Sequence, residues 1–285
     1  MLLLLVAFLV YPSARGDVQY SDSFARNFML PLSAAAYSDQ PQQCLNRLFP
    51  NSTLHRQVTV QCDDFKKDTC SGFTAVLHEH NAIVLSFRGT TRFLQLLEEV
   101  NKTIFLNLCS WLFGGRISRY FNDAFTKIWS AGMHEDFYTL RNQYPNYEIW
   151  VTGHSLGGSL ASLAASFLVG ARVANASEVK LVTFGQPRTG DVHFSARHNA
   201  QMEYSFRVTH WRDIVPHIPV GPIGGFFHHR QEAFYKTKME PSEVQICDGG
   251  ENVHCSDGLW FTVSIKEHLN YFGKHVSTYG IGGCA

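Results

Sequence analysis

Ser155 lies in the sequence pattern that serine nucleophiles use for acyl transfer. Residues Gly153-His154-Ser155-Leu156-Gly157 match G-x-S-x-G between a predicted strand over 147–152 and a predicted helix over 156–168. Glycine on both sides lets the chain make a strained turn with the helix packed close to the strand. The backbone amides and dipole of the helix N-terminus then favour negative charge beside the serine. We therefore predict a serine nucleophile; the alternative is an ordinary glycine-rich turn.

A serine nucleophile needs a base to take its proton and an acid to orient that base. After a serine on a strand-to-helix turn, the acid precedes the base in the chain. Asp213 follows a predicted strand over 204–210 in a proline-held loop, and His268 lies near the C-terminus. Sites in open α/β sheets form at such strand ends. From spacing alone the other candidates stay open, namely Asp191, Asp248, Asp257, His217, His254 and His275.

The remaining histidines predict no further chemistry. The pairs His78/His80 and His228/His229 have no additional ligand residues at metal-site spacing, so we expect no metal site. His154 adjoins the serine, but neighbouring side chains on a tight turn diverge, so we expect this histidine to pack rather than react. The chemistry predicted for the serine requires no cofactor.

The elements that would position these residues alternate between strand and helix. Runs over 82–87, 147–152 and 179–184 are short, rich in Val and Ile, and end in glycine-bearing turns, as strands buried on both faces do. Helical periodicity over 137–144 and 156–168 lies between such strands. We therefore predict an α/β domain with a central, mainly parallel sheet flanked by helices. Three further elements are predicted upstream, a helix over 23–36 and antiparallel strands over 57–62 and 72–80.

Four motifs together carry a family resemblance. SFRGT, GHSLGG, RDIVPHIP and EHLNYF occur in that order, and the chain from about Ser23 onward resembles the class 3 lipases of the α/β-hydrolase fold, in particular their secreted nematode members. The resemblance implies Ser155 as nucleophile, Asp213 as acid and His268 as base. It also implies an oxyanion hole formed by Thr90 and the backbone amide of Leu156.

The same resemblance implies a function. A member of this family would hydrolyse the carboxylic ester bonds of acylglycerols at a lipid–water interface, through an acyl-enzyme and without a cofactor. A phospholipase A1 and a carboxylesterase for small esters are possible on the same scaffold, and the sequence does not separate them. A catalytically inactive lipid-binding protein and a secreted serine peptidase are the alternatives of another class.

The segment after the SFRGT motif has the pattern of a lid. Over residues 91–113, apolar side chains recur every three or four positions, as one stripe along a helix would require. The stripe consists of Phe93, Leu97, Val100, Ile104, Leu108 and Leu112. Because the segment follows the predicted oxyanion loop, we predict a helical lid; the alternative is a core helix. The stretch is longer than the family's usual lid.

The N-terminus predicts export. Residues 1–16 read as a signal peptide, an apolar run followed by an A-x-G cleavage site, which leaves residues 17–285 as a single mature domain. A buried N-terminal strand is the alternative. No apolar run approaches the ~20 residues that cross a bilayer. The expected location is extracellular, with the lysosome or another secretory lumen as the alternative.

Seven cysteines follow the predicted signal peptide, an odd number. Cys62/Cys70 and Cys247/Cys255 are each eight residues apart in polar sequence, which suits local disulfides in an oxidising compartment. The resemblance implies that Cys44 joins Cys284 and supports Cys247 with Cys255; Cys109 would remain unpaired. Connectivity is otherwise open from sequence. Three glycosylation triplets agree with export, at Asn51, Asn101 and Asn175.

Composition and charge exclude several classes of protein. The chain has 285 residues, of which 45% are hydrophobic and 17% charged, so it can bury a full core and is not a disordered protein. The 24 basic residues equal the 24 acidic residues, so no net field attracts nucleic acid. The expected partner is a lipid ester, and neither a nucleic acid nor a transmembrane segment is expected.

Overall fold

The computed structural model describes residues 18–62, 69–88, 106–219, 225–259 and 262–285. The predicted signal peptide, the Thr90 of the predicted oxyanion hole and the Asn101 glycosylation triplet lie outside these residues. Among the helices of the described residues, none is long and apolar enough to cross a bilayer.

A mixed sheet forms the centre of the molecule, and within the described residues it contains eight strands that lie side by side in chain order. These strands are β1 (Ser52–Gln61), β2 (Thr69–Leu77), β3 (Ala82–Arg88), β4 (Glu148–His154), β5 (Val179–Phe184), β6 (Tyr204–His210), β7 (Glu232–Tyr235) and β8 (Gln245–Cys247). The five strands from β3 to β7 are parallel, whereas β1, β2 and β8 pair antiparallel at the edges. The predicted α/β fold with a mainly parallel centre is confirmed.

The sheet has a separate apolar core on each face. Ile83 and Leu85 of β3 point into one core, whereas Val84 between them points into the other, because successive side chains of a strand alternate between faces. Both faces are buried, which explains why β3, β4 and β5 are rich in apolar residues.

Helices cover both faces. The helices of the described residues are α1 (Asp22–Phe24), α2 (Leu30–Ala35), α3 (Pro41–Leu48), α4 (Arg119–Ile128), α5 (His134–Gln143), α6 (Leu156–Gly170), α7 (Val192–Gln201), α8 (Ile265–Leu269) and α9 (Val276–Ile281). Helices α2, α3 and α9 pack on one face, while α4, α5 and α6 pack on the other. Two π-helical segments, Ala25–Met29 and Trp129–Met133, continue into α2 and α5. The sheet is therefore the middle of three layers.

The predicted lid helix is wrong over its last residues. Leu108–Ser110 pairs antiparallel with Arg116–Ser118, and these two strands join Gly190–Asp191 and Phe226–Phe227 in a small second sheet. Leu112 of the predicted stripe is 78% exposed at the hairpin turn. The earlier part of the predicted lid, residues 91–105, lies outside the described residues.

Side-chain anchoring explains why a hairpin forms there instead of a helix. The Trp111 indole donates a 3.0 Å hydrogen bond to Ser166 Oγ, and the Phe113 ring packs edge-on against Phe167 at 5.7 Å. Gly114 and Gly115 make the turn with φ values of 112° and 77°, which other residues rarely adopt. These contacts place the hairpin against the C-terminal half of α6, away from the helix end that carries Ser155.

Three disulfides connect the chain, Cys44–Cys284, Cys62–Cys70 and Cys247–Cys255. The two local pairings agree with the eight-residue spacing, and the long-range pairing agrees with the family resemblance. Cys109 is free within the described residues. The long-range bond ties α3 to the residues after α9, so both ends of the described chain are fixed on one face of the sheet.

A second small pairing follows α8, where Asn270–Tyr271 pairs antiparallel with Lys274–His275. The hairpin directly follows the helix that carries His268 and leads into α9. It therefore joins the site region to the C-terminal disulfide.

Candidate active site

Ser155 occupies the tight turn between β4 and α6 that the sequence predicts. Its backbone has φ 61° and ψ −133°, a left-handed φ that a serine rarely adopts. The Ser155 amide donates a 2.8 Å hydrogen bond to the Phe184 carbonyl at the end of β5. Strain of this kind persists only where the surrounding structure enforces it, and it is common at functional sites.

The glycines around Ser155 are required by space. A Cβ on Gly153 would lie 2.1 Å from the Gly157 carbonyl oxygen, and a Cβ on Gly157 would lie 2.2 Å from the Phe87 carbonyl oxygen. Both distances are far below contact. Without side chains at these two positions, α6 packs directly against β3 and its N-terminus sits at the serine.

Asp213 lies on a short loop after β6 and is almost completely buried, with 1% of its surface exposed. The His268 Nδ1 lies 3.0 Å from each carboxylate oxygen. The Tyr271 hydroxyl donates to Oδ2 at 2.6 Å, and the Val215 amide donates to Oδ1 at 2.8 Å. Burial by itself would raise the pKa of Asp213, but the neighbouring His268 and these hydrogen bonds outweigh burial and lower the pKa. The carboxylate is therefore ionised.

His268 is the buried residue of the short helix α8. The Ser264 hydroxyl caps this helix by accepting a 3.3 Å hydrogen bond from the Glu267 amide. Ser264 also forms a parallel bridge with Asp213, so the loop that carries the acid is attached to the helix that carries the base. Because an ionised carboxylate only accepts hydrogen bonds, the proton of the neutral His268 ring is on Nδ1. Its Nε2 then carries a free lone pair, as a general base requires.

The structure brings Ser155, Asp213 and His268 to the carboxyl ends of β4, β5 and β6. Gly185, which follows the Phe184 that accepts from Ser155, has φ 55°. A Cβ on Gly185 would lie 2.8 Å from Asp213 Oδ2 and 2.9 Å from His268 Nδ1. Gly185 is thus in contact with both Asp213 and His268, and it directly follows the residue that accepts the hydrogen bond from the Ser155 amide.

The Leu156 amide has the position expected of an oxyanion donor. Leu156 is the first residue of α6, and the first amides of an α-helix have no partner within the helix. It follows Ser155 directly, so its N–H lies at the nucleophile. Thr90, the second expected donor, lies outside the described residues.

The alternative acids are engaged elsewhere. Asp191 caps α7 and pairs with Arg116, and Asp248 pairs with Arg230. Asp257 lies between His217 and Arg188.

The alternative bases are also separate from the serine. His217 pairs with Asp257, His254 is exposed, and His275 caps α9. Of the candidates that spacing left open, Asp213 and His268 are the two that pair with each other beside the Ser155 turn.

Three polar residues at the site were not identified from sequence, namely Tyr37, His154 and Tyr271. Tyr271 follows His268 by three positions in EHLNYF, the one local signal that could have indicated it. We expect His154 to pack rather than react, and its ring does stack on the His268 ring. In addition, its Nε2 lies 2.8 Å from the His268 carbonyl oxygen and its Nδ1 lies 2.8 Å from the Tyr37 hydroxyl. Local sequence does not indicate the contact with His268, because the two residues are 114 positions apart.

The histidine pairs considered for metal have other partners. His228 Nε2 lies 2.6 Å from the Pro216 carbonyl oxygen, and His229 Nε2 lies 3.1 Å from the Gln186 amide. His78 and His80 flank one turn of 3₁₀-helix. Across the described ranges, no group of three or more His, Cys, Asp or Glu side chains is placed to hold a metal ion.

Known proteins similar to this chain are lipases. Residues 84–222 match the family model described as lipase (class 3). The chain is 36% identical over 302 residues to a lipase of Caenorhabditis elegans, covering 94% of this chain and 84% of the relative. It is 29% identical over 233 residues to the secreted mono- and diacylglycerol lipase 1 of Fusarium solani, covering 74% and 66%.

A solved structure is similar over most of its length. It belongs to a triacylglycerol lipase whose catalytic centre is formed by a serine protease triad. The TM-score is 0.74 at 25% identity, covering 87% of this chain and 93% of that chain. The fold is thus shared with that lipase.

Proposed function

The chain belongs to the class 3 lipase family and is a serine hydrolase of lipid esters, and on that premise we propose that Ser155, Asp213 and His268 form its catalytic triad. One observation carries the proposal: His268 Nδ1 pairs in a buried position with both carboxylate oxygens of Asp213. This pair lies beside the end of β5, whose Phe184 carbonyl accepts the hydrogen bond from the Ser155 amide. A triad needs this orientation because it fixes the tautomer that leaves Nε2 free to take a proton.

The reaction proceeds in two halves. His268 Nε2 accepts the Ser155 proton as Oγ bonds to the ester carbonyl carbon, and the carbonyl electrons move to oxygen. The tetrahedral intermediate then expels the alcohol, which takes the proton from Nε2, and an acyl-enzyme remains. Water next gives a proton to Nε2 while its oxygen attacks the acyl carbon, and the fatty acid leaves as Ser155 regains its proton. Asp213 stabilises the imidazolium in both halves.

The Leu156 amide and Thr90 are the proposed oxyanion hole. Negative charge develops on the carbonyl oxygen in each tetrahedral intermediate, and donors aimed at that oxygen stabilise it selectively. The Leu156 amide is supported by its place at the N-terminus of α6 directly after Ser155. Thr90 is supported by the SFRGT motif alone.

Acylglycerols at a lipid–water interface are the proposed substrates. The Fusarium solani relative is a lipase of mono- and diacylglycerols by name, and the structurally similar enzyme is a triacylglycerol lipase. A substrate panel tests this choice, with a dissolved short-chain ester, emulsified triacylglycerol and phosphatidylcholine vesicles. Preference for the emulsion supports the proposal. Preference for phosphatidylcholine identifies a phospholipase, with release of the sn-1 acyl chain as the mark of a phospholipase A1, and preference for the dissolved ester identifies a carboxylesterase.

We propose that the protein is secreted. The three disulfides require an oxidising compartment, and relatives of the chain include secreted lipases. We propose that residues 1–16 are removed and that the exposed Asn51 and Asn175 carry glycans. Intact mass of the protein from the medium of expressing cells tests both points. A lysosomal product would instead be retained in the cells.

Ser155→Ala tests the triad. Because the alkoxide would be lost, we expect kcat to fall roughly 10⁴-fold or more on every active substrate of the panel. Ser162→Ala is the matched control, since it removes a buried hydroxyl from the same helix two turns further along. A fluorophosphonate probe should label wild type and Ser162→Ala but not Ser155→Ala. A wild type that neither hydrolyses nor labels would instead be an inactive lipid-binding protein.

A further inference from the structure

His154 connects the backbone of the proposed nucleophile to the backbone of the proposed base. It is the residue before Ser155, it ends β4, and only 2% of its surface is exposed. Its Nε2 lies 2.8 Å from the His268 carbonyl oxygen, and its ring stacks on the His268 ring with centroids 4.6 Å apart. The His154 side chain therefore reaches from the turn that carries Ser155 to the short helix α8.

The hydrogen bonds of His154 define its protonation. A carbonyl oxygen only accepts hydrogen bonds, so Nε2 carries the proton and donates a hydrogen bond to the His268 carbonyl oxygen. Nδ1 then has the lone pair, and the Tyr37 hydroxyl donates to it at 2.8 Å. Burial and the adjacent His268 lower the pKa of His154 to about 3, although Asp213 acts in the opposite direction. The ring is therefore neutral and in one tautomer, and it adds no positive charge beside the base.

The position of α8 depends on hydrogen bonds more than on packing. The helix has five residues, and among them His268 is the one buried residue. Little apolar surface is therefore available to fix its place on the domain. Hydrogen bonds hold its carbonyl groups instead. His154 Nε2 donates to the His268 carbonyl oxygen, and His210 Nδ1 lies 3.1 Å from the Glu267 carbonyl oxygen and 2.6 Å from that of Asn270, just after the helix.

We infer that His154 is a positioning residue, which holds the His268 backbone at a fixed distance from Ser155 and is itself held in one tautomer by Tyr37. The inference rests on the proposed triad. Its consequence is kinetic: when the bond is lost, α8 samples positions in which Nε2 is not aligned with the serine hydroxyl. Misplacement of a reacting group by about 1 Å can cost about 100-fold in rate.

If His154 only filled space in the core, a different result would be expected. Its replacement would lower stability, and activity would fall only as the folded fraction falls. The two explanations separate with His154→Leu, which keeps an apolar side chain but has no donor, and His154→Gln, which carries an amide N–H at a similar reach. His198→Leu is the matched control, because His198 is equally buried but stacks on His229 instead of His268.

The test measures kcat and KM on a dissolved short-chain ester, with the folded fraction of each variant from circular dichroism. We expect His154→Leu to lower kcat roughly ten- to hundredfold with KM little changed, His154→Gln to recover most of the loss, and His198→Leu to keep wild-type kcat per folded molecule. Tyr37→Phe should lower kcat several-fold, because the second tautomer of His154 becomes available. If His154→Leu does not fold, His154→Gln and Tyr37→Phe still test the inference.

A second readout is the downfield proton resonance of His268 Nδ1–H bonded to Asp213. It should broaden or shift in His154→Leu and return in His154→Gln. The inference is overturned if His154→Leu keeps wild-type kcat per folded molecule, or if His154→Gln is no better than His154→Leu. An active Ser155→Ala variant would instead overturn the proposed triad, so the two failures are distinguishable.

Discussion

The Tyr271 hydroxyl donates a 2.6 Å hydrogen bond to Oδ2 of Asp213, the same carboxylate that faces His268. Burial and the adjacent carboxylate raise the pKa of Tyr271 well above its ordinary value, so the phenol remains a donor at all working pH values. The Val215 amide donates to the other oxygen. Asp213 is therefore oriented by groups that do not depend on His268.

Tyr271→Phe should reduce turnover while leaving the triad residues in place. The substitution keeps the ring and removes one charge-assisted donor, and such bonds contribute about 1.5–3 kcal/mol. We expect kcat to fall roughly tenfold on a dissolved ester, because the carboxylate is less firmly held. Tyr235→Phe is the control, since Tyr235 donates to Asp22 and not to Asp213. Equal kcat values for the two variants would contradict the role assigned to Tyr271.

Asp213→Asn should be far more damaging than the same change at Asp257. An amide in place of the Asp213 carboxylate can donate to His268 Nδ1 and thereby favour the tautomer with its proton on Nε2. That tautomer cannot accept the serine proton, and we expect kcat to fall about 10⁴-fold. Asp257→Asn weakens the contacts with His217 and Arg188 but leaves the tautomer of His268 unchanged. A comparable loss in both variants would reopen the choice of acid.

The sequence predicts the parts of the molecule whose burial is regular along the chain. β5 and β6 begin and end at the predicted residues, 179–184 and 204–210, because both faces of the sheet are covered and all positions but one in each strand are buried. The sequence predicts Ser155 because its turn needs glycines, which are a local requirement. Asp213 and His268 needed the family resemblance, since their pairing spans 55 residues.

Contacts between distant segments could not be predicted in the same way. The Tyr37–His154–His268 chain joins three elements, and no periodicity in any one of them encodes the contact.

The end of the predicted lid is a case in which a local pattern predicts an element that does not form. The spacing of Leu108 and Leu112 fits a helix, but the pairing of Cys109 with Ile117 decides the local structure. Tertiary pairing overrides a local pattern in this segment.

Gly157→Ala should prevent the tight turn at Ser155 from forming. The added Cβ would lie 2.2 Å from the Phe87 carbonyl oxygen, so either α6 or β3 must move. We expect a loss of several kcal/mol in unfolding free energy, with activity below one tenth of wild type in the folded fraction. Gly282→Ala is the control, because its φ is −75° and its Cβ would lie 3.3 Å from the Thr278 oxygen. Chemical denaturation and esterase assays on both variants measure the difference, and a fully active, stable Gly157→Ala would refute the steric argument.

Stability should fall steeply in acid because buried histidines stay neutral in the fold. Burial lowers the pKa of His154 and of His198 from 6.5 to about 3, and the pKa values of His228 and His229 are lowered in the same direction. Between pH 6.5 and about 3 the unfolded chain therefore binds protons that the folded protein does not. The contribution of each histidine is fully present above pH 6.5 and is lost as the pH falls, at about 1.4 kcal/mol per pH unit.

His198→Leu tests this linkage through a slope instead of an absolute stability. The change in packing shifts the unfolding free energy by the same amount at every pH, whereas removal of the titrating group lowers the pH dependence by about one proton. Guanidinium denaturation at several pH values between 4 and 6 should thus give a line shallower by about 1.4 kcal/mol per pH unit than that of wild type. Leu163→Ala, which changes buried packing without removing a titrating group, should run parallel to wild type. Parallel lines for wild type and His198→Leu would mean that His198 binds its proton equally in the folded and unfolded states, and would contradict the part assigned to His198 in the acid sensitivity.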